Sequence, residues 1–249
     1  MEQESNPNLV IDVGNTLTKL AVFSSNDLVH VEKVSGLTTS ILDDIISSFG
    51  AKTFIVSAVG SFSEDFSLFL ENKGQLINFS SSLKFLPINN CYKTPDTLGS
   101  DRLAGVIAAN WLYPKTNVLV IDSGTAITYD LVTSNGEYIG GAISPGINMR
   151  FRALNEFTAK LPLLKSQKKF PLIGDSTEES ILAGVLKGSV GEVDTFINEV
   201  KAKYSDLKIV FTGGDAFFFD KNLKNSIFVN PNLVLIGLNR FLNYYNEQF

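Results

Sequence analysis

Two short segments of this chain place an aspartate, a glycine and small polar residues directly after an apolar run. The first is Asp12-Val13-Gly14-Asn15-Thr16 and the second is Asp122-Ser123-Gly124-Thr125. Glycine lets a backbone approach a phosphate closely and donate its N–H groups, because it has no Cβ and tolerates positive φ. A neighbouring carboxylate can hold a hydrated Mg²⁺, and a Thr or Asn side chain can hydrogen-bond a phosphate oxygen. Both segments are therefore candidates for binding a polyphosphate.

The two segments belong to an internal repeat. Residues 9–18 read LVIDVGNTLT, residues 119–128 read LVIDSGTAIT, and six of the ten positions are identical. One such turn alone is usually an ordinary hairpin, but two copies in the same context favour nucleotide binding, and Thr212-Gly213-Gly214-Asp215 after a later apolar run adds to this. Copies this far apart indicate two similar domains rather than a short-period solenoid.

The elements that must position these turns can be predicted from hydrophobic periodicity. In each half, an apolar run, a tight turn and two further β-rich stretches predict a three-stranded antiparallel meander, with Asn135-Gly136 as a hairpin signal in the second. Further strands are predicted over 53–59 and 208–212, and helices over 41–49, 102–112, 149–161, from the Ser176–Glu179 capping box toward 186, 190–204 and 233–245. This mixture predicts an α/β protein. The boundary should fall near residues 114–117, which gives domains over 1–115 and 116–249.

Composition excludes several classes of protein. The chain has 249 residues, 44% of them hydrophobic, and a net charge of −5, which argues against non-specific nucleic-acid binding. One cysteine and one histidine exclude an intramolecular disulfide, a multi-cysteine zinc site and a poly-histidine metal centre. No secretory signal and no membrane-spanning apolar stretch is recognisable, so we expect a cytoplasmic protein without membrane contact.

The phosphate-binding pattern is neither a Walker A loop nor a Rossmann fingerprint. Phosphate binding on two duplicated strand–turn–strand hairpins resembles the acetate and sugar kinase, Hsp70 and actin superfamily. Within it, the block from Asn90 to Ala104, NCYKTPDTLGSDRLA, is similar to a signature of type III pantothenate kinases. So are Gly140–Gly146, GGAISPG, and the Ala153-Leu154 and Thr158–Pro162 segments that follow. The resemblance implies two ribonuclease-H-like (actin-like ATPase) domains, duplicated, with ATP in a cleft between them.

The resemblance also implies a reaction, the phosphorylation of pantothenate by ATP as the first step toward coenzyme A. Asp101 matches the catalytic base, and Asp122 matches the position that holds a monovalent cation, K⁺ or NH₄⁺. Asp12 would lie near Mg²⁺. Contacts to ATP are implied for Asp12, Val13, Gly14, Asn15, Thr16, Leu17, Thr18, Lys19 and Thr125. Contacts to pantothenate are implied for Tyr92, Gly99, Ser100, Asp101, Arg102 and Thr177. Family members are homodimers, and we expect the same here.

Other interpretations of the same residues exist. A sugar kinase of the same superfamily is one, although ROK-type enzymes usually carry a cysteine-rich zinc motif that one cysteine cannot supply. A non-catalytic accessory or regulatory protein on the same fold is another.

Ser176 stands where the family commonly has Asn, but Ser also caps helices. We further expect Cys91 to be a small buried residue, His30 to lie on a surface strand, and Phe217–Phe219 to pack rather than bind adenine.

Overall fold

A computed structural model describes residues 6–14, 16–58, 62–80, 82–83 and 85–248. The chain divides into two compact units, one formed by Met1–Leu112 with Asn232–Phe249 and the other by Tyr113–Pro231. This division falls beside the expected boundary. It differs from the expected 116–249 domain in one respect, because the C-terminal segment belongs to the first unit.

The first unit is built on a five-stranded sheet. Its order is β3-β2-β1-β4-β5, with β1 antiparallel to β2 and parallel to β4. The bounds are β1 Asn8–Val13, β2 Thr18–Ser24, β3 Asp27–Val34, β4 Thr53–Ala58 and β5 Gln75–Asn78. Leu9, Val10 and Ile11 of β1 are all fully buried, as expected for a central strand covered on both faces.

The described residues of the first unit form four α-helices. They are α1 Thr39–Phe49, α2 Glu64–Glu71, α3 Ser100–Leu112 and the C-terminal helix α8 Leu233–Gln248. A short strand β6, Asn89–Asn90, and a 3₁₀ turn, Pro95–Thr97, precede α3. The helix α8 packs on α3 so closely that a Cβ at Gly237 would lie 1.8 Å from the Ala104 carbonyl oxygen. This helix pairing explains why the C-terminal segment belongs to the first unit.

The second unit repeats the topology of the first. Its strands β7 to β11 follow the order β11-β10-β7-β8-β9, so β7 stands where β1 stands, between an antiparallel and a parallel neighbour. The bounds are β7 Val118–Ser123, β8 Ala126–Val132, β9 Glu137–Pro145, β10 Lys208–Thr212 and β11 Phe228–Val229. The two meanders predicted from the repeat are confirmed.

The helices of the second unit depart from the prediction in three places, one of which is a helix over Ala216–Asn222 where none was predicted. They are α4 Ile147–Glu156, α5 Thr177–Leu182, a π-helical turn Ala183–Lys187, α6 Gly188–Lys203 and α7 Ala216–Asn222. The predicted helix over 149–161 is too long: the Asn155 amide donates to the Leu161 carbonyl at 2.7 Å, so the chain folds back after Glu156. The predicted helices toward 186 and over 190–204 are joined through the π-helical turn. No described helix combines the length and apolar character needed to cross a membrane.

Candidate active site

The first glycine turn joins β1 to β2 and is closed by its own backbone. The Gly14 N–H donates to the Leu17 carbonyl at 3.1 Å, and a Cβ on Gly14 would lie only 3.1 Å from that oxygen. Gly14, Thr16 and Leu17 are exposed, whereas Asn15 lies outside the described residues. The amide of Gly14 is therefore engaged within the turn itself.

Asp12 stands at the end of β1, beside this turn. Lys19 of β2 is its partner across the antiparallel ladder, and Ser57 of β4 is its neighbour on the parallel side. Burial raises the pKa of Asp12 to about 6; the Lys19 ammonium opposes this rise, and the negative charge of Asp101 adds to it. A carboxylate that is partly buried near a second carboxylate is a position where a cation is favoured.

Asp101 is the second residue of α3, and its charge acts on Asp12. Its Oδ1 accepts the Arg102 N–H at 2.8 Å, so the side chain folds back over the first turn of its own helix. A Cβ on Gly99 would lie 2.5 Å from that same Oδ1. A side chain at position 99 would displace the Asp101 carboxylate, so the glycine of the Gly-Ser-Asp-Arg block leaves that carboxylate in place.

Arg102 packs against the loop that precedes α3. It is almost fully buried, and its guanidinium carbon is 5.5 Å from the ring centroid of Tyr92, a cation–π contact. The Tyr92 N–H donates to the Asn90 side-chain oxygen at 3.1 Å, which fixes the loop. The structure thus brings together the predicted substrate residues Tyr92, Gly99 and Arg102 and the predicted base, Asp101.

Ser57 belongs to this group and was missed from the sequence. Its hydroxyl oxygen lies 2.8 Å from that of Ser100, the first residue of α3. The serine interrupts the apolar run of β4, and a buried polar residue within a strand is the signal that could have indicated it.

Cys91 is exposed, so the expectation of a buried residue is wrong; it lies on the loop before the 3₁₀ turn. His30 lies partly exposed on β3, as predicted.

The second glycine turn joins β7 to β8. The Gly124 N–H donates to the Ala126 carbonyl at 2.9 Å, and the Thr125 carbonyl accepts the Gly146 N–H at 3.1 Å. A Cβ on Gly146 would lie 2.2 Å from the Gly124 carbonyl oxygen. The glycine of the Gly-Gly-Ala-Ile-Ser-Pro-Gly block therefore allows close packing against the turn, which leaves Thr125 exposed.

Asp122 and Asp215 flank the same turn. Gly213, at φ +92°, follows β10, and a Cβ there would lie 2.4 Å from Asp122 Oδ1 and 2.3 Å from the Ser123 carbonyl oxygen. The Asp215 N–H donates to that carbonyl at 3.1 Å, and the Ser123 hydroxyl donates to Asp215 Oδ2 at 3.3 Å. Burial raises the pKa of Asp215, while the hydrogen bond from Ser123 lowers it.

Thr177 lies in a different part of the second unit. It begins α5, where the Ser176 hydroxyl caps the helix by accepting the Glu179 N–H at 3.3 Å. The Glu179 carboxylate accepts the Asp175 N–H at 3.3 Å, one residue before the position expected for a capping box. Thr177 lines a cavity of about 1100 Å³ whose walls come from α4, α5, the π-helical turn and the segments between them.

Of the three phenylalanines 217–219, Phe219 is buried and stacks on Phe211, while Phe217 is 58% exposed.

The fit of this chain to a divalent cation rests on Asp12. Within the described ranges, no group of three or more Asp, Glu, His or Cys side chains could hold a metal ion by itself. Mg²⁺ usually keeps water ligands and binds through one or two carboxylates together with substrate phosphates. Asp12, with the negative charge of Asp101 nearby, suits a hydrated Mg²⁺ that also binds substrate phosphates. The two carboxylates do not suit a metal ion held by protein ligands alone.

Comparisons with known proteins give a consistent result. The family model for type III pantothenate kinases matches residues 8–199. A type III pantothenate kinase of Phocaeicola vulgatus is 45% identical over 240 residues, which cover 96% of this chain and 99% of that protein. The similarity thus spans both glycine turns and the Gly-Ser-Asp-Arg block.

Solved structures resemble this chain at much lower identity. A conserved Baf family protein from Campylobacter jejuni has a TM-score of 0.61 at 22% identity and covers 97% of this chain and 100% of its own. A glucokinase from an Antarctic psychrotroph has a TM-score of 0.56 at 13% identity and covers 96% and 99%. At these identities the likeness shows the fold alone. That fold is the two-domain α/β fold of actin-like ATPases and sugar kinases, as the sequence predicted.

Proposed function

Because this chain belongs to the type III pantothenate kinase family, we propose that it transfers the γ-phosphoryl group of ATP to the primary hydroxyl of pantothenate. The product is 4′-phosphopantothenate, and this reaction is the first step in the biosynthesis of coenzyme A. The single observation that carries this proposal is the proximity of two carboxylates, Asp12 at the end of β1 and Asp101 at the start of α3. One carboxylate can face a cation and phosphates while the other faces an alcohol.

Asp101 is the general base of the proposed reaction. An alcohol must lose its proton as its oxygen bonds to phosphorus, and a positioned carboxylate can accept that proton late in the transfer. Since Oδ1 already accepts the Arg102 N–H, we assign Oδ2 as the atom that takes the proton. Gly99 supports this role because it leaves space for the folded-back carboxylate.

Asp12 and the first glycine turn form the proposed phosphate site. Bound Mg²⁺ would neutralise charge on the β- and γ-phosphates, and Asp12 would hold its hydrated shell. The residues proposed to contact the phosphates come from the end of β1, the turn and the start of β2; they are Val13, Gly14, Asn15, Thr16, Leu17, Thr18 and Lys19. Lys19 already lies opposite Asp12 on the ladder, so its ammonium stands on the side of the sheet where negative charge would collect.

Pantothenate is an anionic alcohol, and the loop before α3 suits that chemistry. The guanidinium of Arg102 can pair with a carboxylate, and its contact with Tyr92 holds both side chains in place. Ser100 and Gly99 complete this part of the proposed acceptor site. Thr177 is a further proposed contact, on the cavity beside α5.

The second glycine turn is the proposed site of the monovalent cation and of a further ATP contact. Asp122 supplies a carboxylate whose Oδ1 lies against Gly213, and Thr125 is exposed beside it. Oxygen ligands from carboxylates and backbone carbonyls suit K⁺ or NH₄⁺. We also propose that the enzyme is a cytoplasmic homodimer, as the family resemblance implies; light scattering at micromolar concentration tests the dimer, and a monomer would contradict it.

A coupled assay of ADP formation tests the proposed reaction. Pantothenate should support turnover with Mg·ATP, whereas glucose, glycerol and acetate should not, and K⁺ or NH₄⁺ should be required in place of Na⁺. Mass spectrometry should find a single phosphate added to pantothenate. Turnover with glucose instead would favour a sugar kinase, and no turnover with any acceptor would favour an accessory protein on this fold.

A further inference from the structure

Ser57 is a buried hydroxyl in an apolar strand. It is 1% exposed and lies near the end of β4, in register with Asp12 on β1. Its neighbours along the strand, Ile55 and Val56, are buried and apolar. Burying a hydroxyl is unfavourable unless it is hydrogen-bonded. The strand itself does not need this group, because β4 pairs with β1 through backbone atoms.

The hydroxyl of Ser57 pairs with the hydroxyl of Ser100 across 43 positions of sequence. The two oxygens are 2.8 Å apart, and either can donate. Ser100 is the first residue of α3, and Asp101 follows it directly. The bond therefore joins the strand beside Asp12 to the turn that carries Asp101.

Two other hydrogen bonds of the helix start are local to the helix. The Leu103 N–H donates to the Gly99 carbonyl at 3.2 Å, and the Arg102 N–H donates to Asp101 Oδ1 at 2.8 Å. Such bonds shape the first turn but do not determine where that turn lies on the sheet. The bond between Ser57 and Ser100 adds a direct link from that turn to the buried strand β4, beside the packing of α3 on α8.

We propose that Ser57 is a positioning residue for phosphoryl transfer, whose hydroxyl holds Ser100 and thereby sets the carboxylate of Asp101 beside the end of β1. This inference rests on the proposed function of Asp101 as the base. Displacing a catalytic group by about 1 Å can cost on the order of 10²-fold in rate. Losing the bond should therefore slow the chemical step more than it weakens the binding of ATP.

The test is a double-mutant cycle of Ser57→Ala, Ser100→Ala and the double variant, with kcat and the KM for ATP measured for each. We expect Ser57→Ala to lower kcat by about 10- to 100-fold with little change in the KM for ATP. The double variant should be no slower than the slower single variant, because both lose the same bond. Ser189→Ala is the matched control: Ser189 is fully buried and its hydroxyl donates to the Val185 carbonyl of the same helical segment at 2.8 Å. It should lower thermal stability without changing kcat.

Two kinetic results would overturn the proposal: a kcat for Ser57→Ala equal to that of Ser189→Ala, or independent, multiplicative effects of the two substitutions. If Ser57→Ala does not fold, hydrogen exchange in Ser100→Ala replaces it, because that variant removes the same bond and exchange does not depend on the substrate contact proposed for Ser100. Hydrogen exchange gives a readout independent of turnover. Faster exchange at residues 101–103 in the Ser57→Ala variant, but not in Ser189→Ala, supports the proposal, and unchanged exchange overturns it. If the wild-type chain does not phosphorylate pantothenate, the proposed function fails, and the exchange comparison still decides whether Ser57 fixes the helix start.

Discussion

The α-carbon of Gly213 lies against the carboxylate of Asp122, so closely that a Cβ would stand 2.4 Å from Asp122 Oδ1. Gly213 also has a φ of +92°, a region that residues with side chains rarely adopt. The contact joins the end of β10 to the end of β7. It places the Thr-Gly-Gly-Asp segment beside the second glycine turn, as two adjacent parallel strands allow.

Gly213→Ala should therefore destabilise the protein. Strain at positive φ and contact with the Ser123 carbonyl should cost about 1–3 kcal/mol, measured by denaturant unfolding. Activation by K⁺ should weaken as well, because Asp122 must move. The neighbouring Gly214→Ala is the control, since a Cβ there has no atom within 4 Å. Equal stability of the two variants would contradict this account.

Asp101→Asn should leave ATP binding largely intact while lowering kcat on the order of 10²-fold or more, because the amide cannot accept the proton of the alcohol. Steady-state kinetics and nucleotide binding by calorimetry measure the two effects separately. Asp96→Asn is the control, an exposed aspartate in the 3₁₀ turn before α3. Normal turnover of Asp101→Asn would show that the base is another group.

Asp12→Asn should stabilise the protein without ligand at pH 7.5 while abolishing its activity. Burial raises the pKa of Asp12 from 3.8 to about 6, so the folded state holds this proton more tightly than the unfolded state does. The associated stability is present below pH 3.8 and is lost as the pH rises through about 6. Removing the charge should restore about 1 kcal/mol, after allowance for solvent exposure, and raise the thermal midpoint by roughly 2–4 °C.

The advantage of the Asp12→Asn variant should disappear on acidification below about pH 4, where the wild-type carboxyl is protonated in both states. Thermal unfolding from pH 3.5 to pH 8 measures this trend. The exposed Asp27→Asn is the control and should show no such pH dependence. The interpretation of Asp12 as a buried charge is wrong if the midpoints of wild type and variant coincide throughout.

Asp122→Asn should reduce activation by K⁺ while the enzyme stays folded, because a neutral amide binds a cation more weakly than a carboxylate does. The initial rate is measured against K⁺ concentration at constant ionic strength, with Na⁺ as the replacement ion. The concentration for half-maximal activation should rise at least about tenfold, which corresponds to 1.4 kcal/mol. Equal rates for the wild type in Na⁺ alone would remove the proposed cation site.

Glu192→Gln should destabilise the second unit. Its carboxylate accepts hydrogen bonds from Ser144, Tyr129 (3.0 Å) and Arg150 (2.6 Å), which link α6 to β8, β9 and α4. Burial alone would raise the pKa of Glu192, but the hydrogen bonds from Ser144 and Arg150 hold it below its ordinary value. Its stabilisation is therefore present above the unfolded pKa and is lost as the pH falls through the folded pKa.

The loss in Glu192→Gln should be about 1–3 kcal/mol at neutral pH and should shrink at acidic pH. Denaturant unfolding at pH 7.5 and pH 3.5 measures the difference. Glu199→Gln, exposed on the same helix, should change little at either pH. A loss of the same size at both values would mean that the charge of Glu192 contributes nothing.

Local pattern predicted much of the architecture. The repeat around Asp12 and Asp122 predicted two equivalent meanders, because alternating apolar residues and tight-turn residues specify strands and hairpins over a few positions. The helix expected over 149–161 was overextended, since periodicity does not reveal that Asn155 bonds back to Leu161. Cys91 was misjudged because burial depends on what covers a loop, which composition does not contain.

The sequence by itself determined the two meanders, the duplication and the residue types able to bind phosphate, because these follow from short-range spacing. Only the tertiary structure decided which of those residues meet. Ser57 and Ser100 are 43 positions apart, and their contact depends on how α3 packs on the sheet. The pKa of Asp12 likewise depends on burial and on the charge of Asp101, since both act through space rather than along the chain.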